Sequence, residues 1–410
     1  MGSATQPKRY VIIGNGVAGT TAAETLRKAD PQASITIIGN EPYPLYNRIA
    51  LFPVLKLRTP PERIIIRSLD YHREHRLDLL LETNATHVDV DQRIVSTEPG
   101  GDRPYDALLV ASGGRPSPLQ VPGAEGTYGI HNYQSLDDTK GIMARMLESR
   151  QMVVVGGSYI AYELASAARS RGLEVTWLIR GPHFVRRILD PEGGALVDRI
   201  ARDAGVDVQY GEEVARVQAK NGVIQAVTTT GGRSIPCDLL GVGIGLIPNT
   251  NFLEGTPVEV QQGVVVNQYL ETGAPGVYGA GDVAEFYDTY VNRHHLMGTW
   301  NNAAAHGRLA AANMLGGRQS YSEVPYHTST LFDTTMAVVG TTPDVRPDLE
   351  FESLIHVDSA ARLYRRLFFL EGRLVGAALI GDIRARRQLT DRIRSRERIA
   401  PAERAKLLQA

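Results

Sequence analysis

Two glycine fingerprints constrain this chain more than any other feature. The first is Gly14-Asn15-Gly16-Val17-Ala18-Gly19, directly after the apolar run Tyr10-Val11-Ile12-Ile13. The second is Gly156-Gly157-Ser158-Tyr159-Ile160-Ala161, directly after Met152-Val153-Val154-Val155. Each predicts a buried strand, a tight glycine turn and a helix start, in that order. In such a turn the backbone N–H groups and the helix dipole can receive a pyrophosphate. A chain with two of these units has room for two dinucleotides.

The flanking segments extend the same pattern twice. After the first fingerprint comes a second strand, Ser34–Gly39, ending at Asn40-Glu41. An acid about 20 residues beyond such a fingerprint is where these folds place the acceptor for a ribose hydroxyl, which points to Glu41; the alternative is a solvated loop carboxylate. Strand-like segments 77–81 and 105–110 follow, the latter running into Ala111-Ser112-Gly113-Gly114-Arg115-Pro116, and a Gly/Pro-rich passage at 115–126 reads as a linker. After the second fingerprint an alanine-rich helix over 159–171 precedes a strand at 173–180, with further strands at 206–209, 223–229 and 239–242. Gly276–Asp282 reads as another strand closing in glycines and an acid, and 300–315 as a helix. From about Pro325 a strand-rich stretch gives way to an arginine-heavy helical tail.

Composition narrows the class. The 410 residues allow two or three domains, and 43% apolar with 22% charged residues is ordinary for a globular protein. A net charge of -1 opposes wholesale attraction to nucleic acid or anionic membrane. No apolar run reaches the roughly eighteen residues a bilayer span requires. Met1–Arg9 lacks the apolar core of a secretory signal, so cytoplasm is the expectation. The single cysteine, Cys237, excludes an intrachain disulfide and a CxxC pair, and reads as a packed thiol. His294, His295 and His306 lack convergent acidic or cysteine neighbours, so no metal site is expected.

Four blocks occur in order: the first GxGxxG, the Ala111-Ser112-Gly113 turn, the second glycine loop followed by Glu163, and Gly279–Asp282. With them the chain resembles the FAD-dependent pyridine-nucleotide–disulfide oxidoreductases. Within that superfamily it is most similar to the ferredoxin/rubredoxin reductases and the flavoprotein segment of nitrite reductases, on Asn40–Arg48 and the C-terminal Gly376-Ala377-Ala378-Leu379-Ile380-Gly381-Asp382. The resemblance implies an α/β fold of two Rossmann-like dinucleotide-binding domains plus a small α+β C-terminal domain. It assigns 1–116 and 244–324 to FAD, 117–243 to NAD(P)H, and 325–410 to a C-terminal interface domain. It places Gly14, Gly16, Val17, Ala18, Gly19, Glu41, Asn47, Arg48, Val88, Ala111, Ser112, Gly113, Arg115, Gly281, Asp282, Trp300 and Asn301 around FAD. Asp282 would bond the ribityl chain, an N-cap role being the alternative, and the helix near Trp300 would point its dipole at the flavin N1–C2=O edge. Gly156, Gly157, Ser158, Tyr159, Ile160, Arg180, Arg186, Gly243, Ile244 and Gly245 would hold NAD(P)H.

Glu163 is the expected catalytic residue, on the nicotinamide side. Ferredoxin reductases pair the matching acid with a lysine where this chain has Pro53, so the acid is expected to lack its cation. His327, Thr328 and Phe332 stand where those reductases carry a tryptophan-containing segment, which implies a different acceptor face. NAD-preferring relatives end the strand after the second fingerprint in an acid. Here Ile179 stands in that place, with Arg180 next and Arg186-Arg187 six residues on. Glutathione-reductase-like NADP enzymes use a similar arginine pair and share the alanine at 161. The cofactors implied are therefore FAD with NADP(H) or NAD(H), NADPH being favoured; some NADH-using relatives also lack the acid.

The function implied is an NAD(P)H:acceptor oxidoreductase. Hydride passes from nicotinamide to flavin, then single electrons pass to a ferredoxin- or rubredoxin-type carrier or an iron–sulfur subunit. A homodimer or larger redox complex is compatible with it. The alternatives are an assembly or signalling flavoprotein of the apoptosis-inducing-factor type and an NAD(P)H oxidase, whose usual cysteine near Asn47 is missing. The arginines at 384, 386, 387, 392, 394, 396 and 398 read as a solvated helix face or as a dock for an acidic carrier.

Overall fold

The computed structural model describes residues 7–409. The chain divides into two compact units. The first comprises Met1–Asn47, Ile65–Arg115 and Pro248–Tyr326; the second comprises Arg48–Ile64, Pro116–Ile247 and His327–Ala410.

The first unit is built on a five-stranded parallel sheet. Its central strand, Arg9–Ile13, lies between Ser34–Ile38 and Ala107–Val110, so that Ile13 stands level with both Ile38 and Val110. Asp78–Leu80 and Val277–Gly279 complete the edges. The strands read as unbroken apolar runs because both faces are covered: Tyr10, Val11, Ile12 and Ile13 are all buried. One cover is the pair of helices Val17–Ala29 and Trp300–Met314. They touch closely because Gly307 has no side chain; a Cβ there would lie 2.2 Å from the Ala18 carbonyl oxygen. Two three-stranded sheets are appended: Asn84–Asp89, Ile94–Glu98 and Gly101–Pro104, and Val264–Val266, Ala284–Asp288 and Arg293–His295.

The second unit repeats the plan. Gln151–Val155 lies between Glu174–Ile179 and Leu239–Val242, with Val206–Tyr210 and Ile130–Asn132 outside them, all parallel. The helix Tyr159–Ser170 is alanine-rich and its inner face is buried against this sheet. A three-stranded antiparallel sheet, Val214–Lys220, Val223–Thr229 and Ser234–Pro236, is inserted before the last strand. The segment Arg48–Ile64 belongs to this unit: its helix Leu51–Leu55 packs on Leu136–Glu148 and Tyr159–Ser170. The C-terminal sheet runs in the order Tyr326–Leu331, Thr334–Gly340, Arg373–Ile380, Leu363–Leu370, Glu352–Asp358. The arginine-rich tail forms two helices, Arg386–Ser395 and Pro401–Gln409, because Arg396 turns left-handed at φ 57. Among the described residues no helix is long and apolar enough to cross a membrane.

Candidate functional site: two glycine cradles and a buried acid

In open parallel sheets a ligand binds beyond the carboxyl ends of the strands, where the strand order reverses. Arg9–Ile13 and Gln151–Val155 each occupy that switch point in their own unit. The fingerprints follow directly.

In the first cradle the Gly14 N–H donates to the Ile38 carbonyl at 2.7 Å, and the backbone turns at φ +114. A Cβ on Gly14 would sit 2.1 Å from the Ala111 carbonyl oxygen, so the turn lies directly on the Ala111-Ser112-Gly113 segment. Gly16 is different. It is the N-cap of the helix that Val17, Ala18 and Gly19 begin, no side chain caps it, and a Cβ there would meet nothing within 4 Å. Open space in front of uncapped helix N–H groups is what a diphosphate needs, so the residues fit the cofactor. Asn15 braces the next wall by donating to the Tyr43 carbonyl at 2.8 Å. Glu41 accepts a 2.6 Å hydrogen bond from the Tyr46 hydroxyl.

The opposite wall is fastened by Asn249, a residue the sequence did not single out. The Ser112 hydroxyl donates to the Asn249 carbonyl at 2.7 Å, the Asn249 amide returns a 3.0 Å bond to the Ser112 carbonyl, and Arg115 donates to its side-chain oxygen at 3.1 Å. Val88 is buried in the neighbouring strand Asn84–Asp89. Gly281 donates its N–H to the fully buried His306 imidazole at 3.3 Å, and Asp282 lies beside Gly298. The N-cap alternative for Asp282 does not hold: a strand, Ala284–Asp288, follows it, and Thr299 caps the helix that Trp300 and Asn301 open.

The second cradle copies the first. A Cβ on Gly156, at φ +127, would lie 2.1 Å from the Gly243 carbonyl oxygen. Gly157 sits over the buried Ile179 side chain, and Ser158 both N-caps the Tyr159–Ser170 helix and donates to the Gly243 carbonyl at 2.8 Å. Ile160 lies in the first turn of that helix. Ile244 is exposed, and the Gly245 carbonyl is held by the Ser117 N–H at 2.9 Å. Tyr159 stacks edge-on against His327 with ring centroids 4.7 Å apart, and burial pushes the His327 imidazole down to about 4. Arg180 begins the loop beyond the strand end with its side chain 73% exposed. The stem of Arg186 lies over Gly181, where a Cβ would meet its Cδ at 3.1 Å. The charge of Arg187 is felt by the buried Asp344.

Glu163 stands in the second turn of that helix. Burial pushes its carboxyl up to about 8, and the charge that opposes this is Lys56. Lys56 is thus a nearby cation whose charge Glu163 feels, although no ion pair joins the two. Lys56 is one helical turn beyond Pro53, and the same face can carry residues three apart. Its Nζ donates to the Ser166 hydroxyl at 3.1 Å, and burial lowers its pKa. Burial, with a smaller contribution from the charge of the same acid, raises the Tyr133 pKa well above the usual tyrosine value. Arg48 donates to the Gln134 carbonyl at 2.9 Å, and Asn47 closes the first unit's share of this segment.

The model for pyridine nucleotide-disulphide oxidoreductases matches residues 8–307, spanning both cradles. This chain belongs to that family. A second model, the C-terminal domain of rubredoxin NAD+ reductase, matches residues 326–397. The nitrite reductase [NAD(P)H] of Bacillus subtilis is 27% identical over 98% of the chain, which spans only 49% of that protein's length. Putidaredoxin reductase of Pseudomonas putida is 28% identical, covering 88% of this chain and 86% of its own. The ferredoxin reductase component of chlorobenzene dioxygenase from a Cupriavidus species is 30% identical over 95% and 93%. Among solved structures, the covalent putidaredoxin reductase–putidaredoxin complex superposes with a TM-score of 0.90 at 25% identity, over 96% of this chain and 95% of that one. An engineered water-forming NADPH oxidase shares the fold at 0.88 and 21% identity, over 98% and 99%. As a member of this family the chain is an oxidoreductase that uses FAD and NAD(P)H.

Proposed function

We propose that this chain is the reductase of an electron-transfer system, oxidising NADPH in preference to NADH and reducing a ferredoxin- or rubredoxin-type iron–sulfur carrier in the cytoplasm. One observation carries it: two glycine cradles of the same stereochemistry stand at separate switch points, while the single thiol is buried and pushed up to about 12. A disulfide reductase needs an exposed, low-pKa cysteine pair. When bound, FAD converts the two-electron chemistry of the nicotinamide into single-electron steps.

The residues then divide the work. The N–H groups ahead of Val17 would hold the FAD diphosphate, with Asp282 at the ribityl chain and Asn249 keeping the Ala111–Arg115 wall in place. The N–H groups of Gly157 to Ile160 would hold the nucleotide diphosphate. Glu163, protonated near neutral pH, holds its proton at a carboxyl oxygen, and the charge of Lys56 keeps its pKa from rising further. Arg180 and Arg186 would take the 2′-phosphate; charge-assisted bonds of this kind contribute about 1.5–3 kcal/mol each when formed away from water. The NADPH-bound oxidase was engineered by five substitutions that include removing an aspartate, placing an arginine directly after it, and a second arginine six positions further. Ile179, Arg180 and Arg186 have the same order and spacing.

Anaerobic titration of the purified protein with NADPH and NADH tests the reading. The bound yellow chromophore should bleach with one equivalent of nucleotide, at lower concentration for NADPH, and an added iron–sulfur carrier should restore the colour. A colourless protein that takes up no flavin, or a flavin indifferent to both nucleotides, would overturn it.

A further inference from the structure

Relatives that choose NADH usually place an acid at the end of the strand after the second fingerprint. Here that position is Ile179, whose buried side chain forms the floor under Gly157. The structure brings a carboxylate to the neighbourhood from elsewhere. Strands Glu174–Ile179 and Val206–Tyr210 are parallel neighbours, with Ile179 level with Tyr210, so their carboxyl ends open side by side. Beyond Tyr210 the chain turns at Gly211, φ +71, and presents Glu212 and Glu213.

The two acids have different employment. The Glu212 carboxylate is consumed by its own turn: it accepts from the Gly231 N–H at 2.9 Å and from the Thr230 hydroxyl at 3.0 Å. Glu213 has its main chain pinned instead. Its N–H donates to the Thr230 hydroxyl at 3.2 Å, and its carbonyl accepts from the Thr230 N–H at 2.9 Å. Its side chain therefore projects from a fixed root, and it ends 3.6 Å from Arg180, with 46% of the side chain exposed. Arg180 is the arginine assigned above to the 2′-phosphate, and Arg186 lies over the next residue, Gly181.

We propose that Glu213 is the residue that sets the balance between NADPH and NADH, by competing with the 2′-phosphate for Arg180. A 2′-phosphate must displace the carboxylate from the guanidinium and tolerate a second anion close by. A free 2′-hydroxyl leaves the pair intact and finds in Glu213 an acceptor that Ile179 cannot provide. The pair is solvent-exposed, so its pull is modest and falls with salt. It tempers the preference for NADPH without abolishing it. The inference rests on the nucleotide site proposed above.

The test uses fragments that carry only the adenosine end, so hydride chemistry does not enter. Binding of 2′,5′-ADP and 5′-AMP to the flavin-loaded protein is measured by calorimetry. Glu213→Gln should tighten 2′,5′-ADP by about two- to five-fold and weaken 5′-AMP by about two-fold. Arg180→Ala should weaken 2′,5′-ADP at least about ten-fold. In the Arg180→Ala background, Glu213→Gln should recover less than half of its single-variant gain, because the competition runs through the guanidinium. Glu213→Asp, with a shorter reach, should behave like Glu213→Gln toward 2′,5′-ADP. Equal shifts for both fragments, no shift in either, or a gain that persists in full without Arg180 would overturn the proposal. Failure of both fragments to bind the unaltered protein would overturn the nucleotide site itself.

Discussion

At the residue scale the chemistry turns on Glu163 and Lys56. The Glu163 carboxyl rises from an ordinary 4.5 to about 8 because burial penalises its charge, and Lys56 offsets only part of that. The native pKa lies above the unfolded one, so between those values the native state binds the extra proton. Stability therefore falls as pH rises through that window and is not recovered above it. Glu163→Gln cannot ionise, and chemical denaturation should find it about 1–3 kcal/mol more stable than the parent near pH 9 and about equal to it below pH 4. Lys56→Met removes the opposing cation and should drive the acid higher still. The pH profile of anaerobic nucleotide oxidation in a stopped-flow instrument should then move its basic inflection upward by about one unit, whereas Glu163→Gln should lose that inflection. Lys56 was hidden from the sequence for a definite reason. Relatives place the lysine at the position of Pro53, and it takes the helix Leu51–Leu55 to bring the charge of a residue three places on to bear on the acid.

At the element scale the two cradles were legible and their fastenings were not. Strand, glycine turn and helix follow from apolar runs broken by glycine, and the strands at 151–155 and 239–242 fall where the apolar pattern places them. The bonds of Asn249 to Ser112 join residues 137 apart, and no local pattern announces a contact at that range. The helix Leu136–Glu148 is announced only by its start, where Ser135 and Asp138 form a capping box, a signal the sequence does carry. The cradles make a sharp contrast testable. Gly14→Ala puts a Cβ against the Ala111 carbonyl on a backbone that disfavours side chains, and should cost at least about 3 kcal/mol. The Cβ of Gly16→Val meets nothing within 4 Å in the protein. This substitution should leave the apoprotein melting within about 2 °C of the parent, given the small cost of changing an N-cap glycine, and yet purify without flavin. Melting curves alongside visible absorption decide between the two outcomes.

At the scale of the whole molecule the question is where electrons leave. Many arginines of the tail are already paired: Arg384 with Asp382 at 2.6 Å, Arg394 with Asp391 at 3.0 Å, Arg404 with Glu352 at 2.7 Å, and Arg392 with Glu403. The exposed pairs among them contribute little to stability, but all of them blunt the positive face that the bare count of arginines implies. The family's name couples pyridine nucleotide to disulfide, and this chain breaks that coupling. Cys237 is buried before the strand Leu239–Val242, and its thiol is pushed up to about 12 by burial and by Asp238. At pH 7 its thiolate fraction is then on the order of one in 10⁵, and an acid–base argument and an accessibility argument agree that it cannot attack a disulfide. Cys237→Ala should therefore reduce an iron–sulfur carrier at the parent rate within about two-fold, losing only about 1 kcal/mol of packing. Treating the native parent with an alkylating reagent should leave carrier reduction intact, and neither protein should reduce a small disulfide. Loss of carrier reduction in Cys237→Ala, with an unchanged melting temperature and full flavin content, would place the thiol in the electron path and return the chain to the disulfide chemistry of its family.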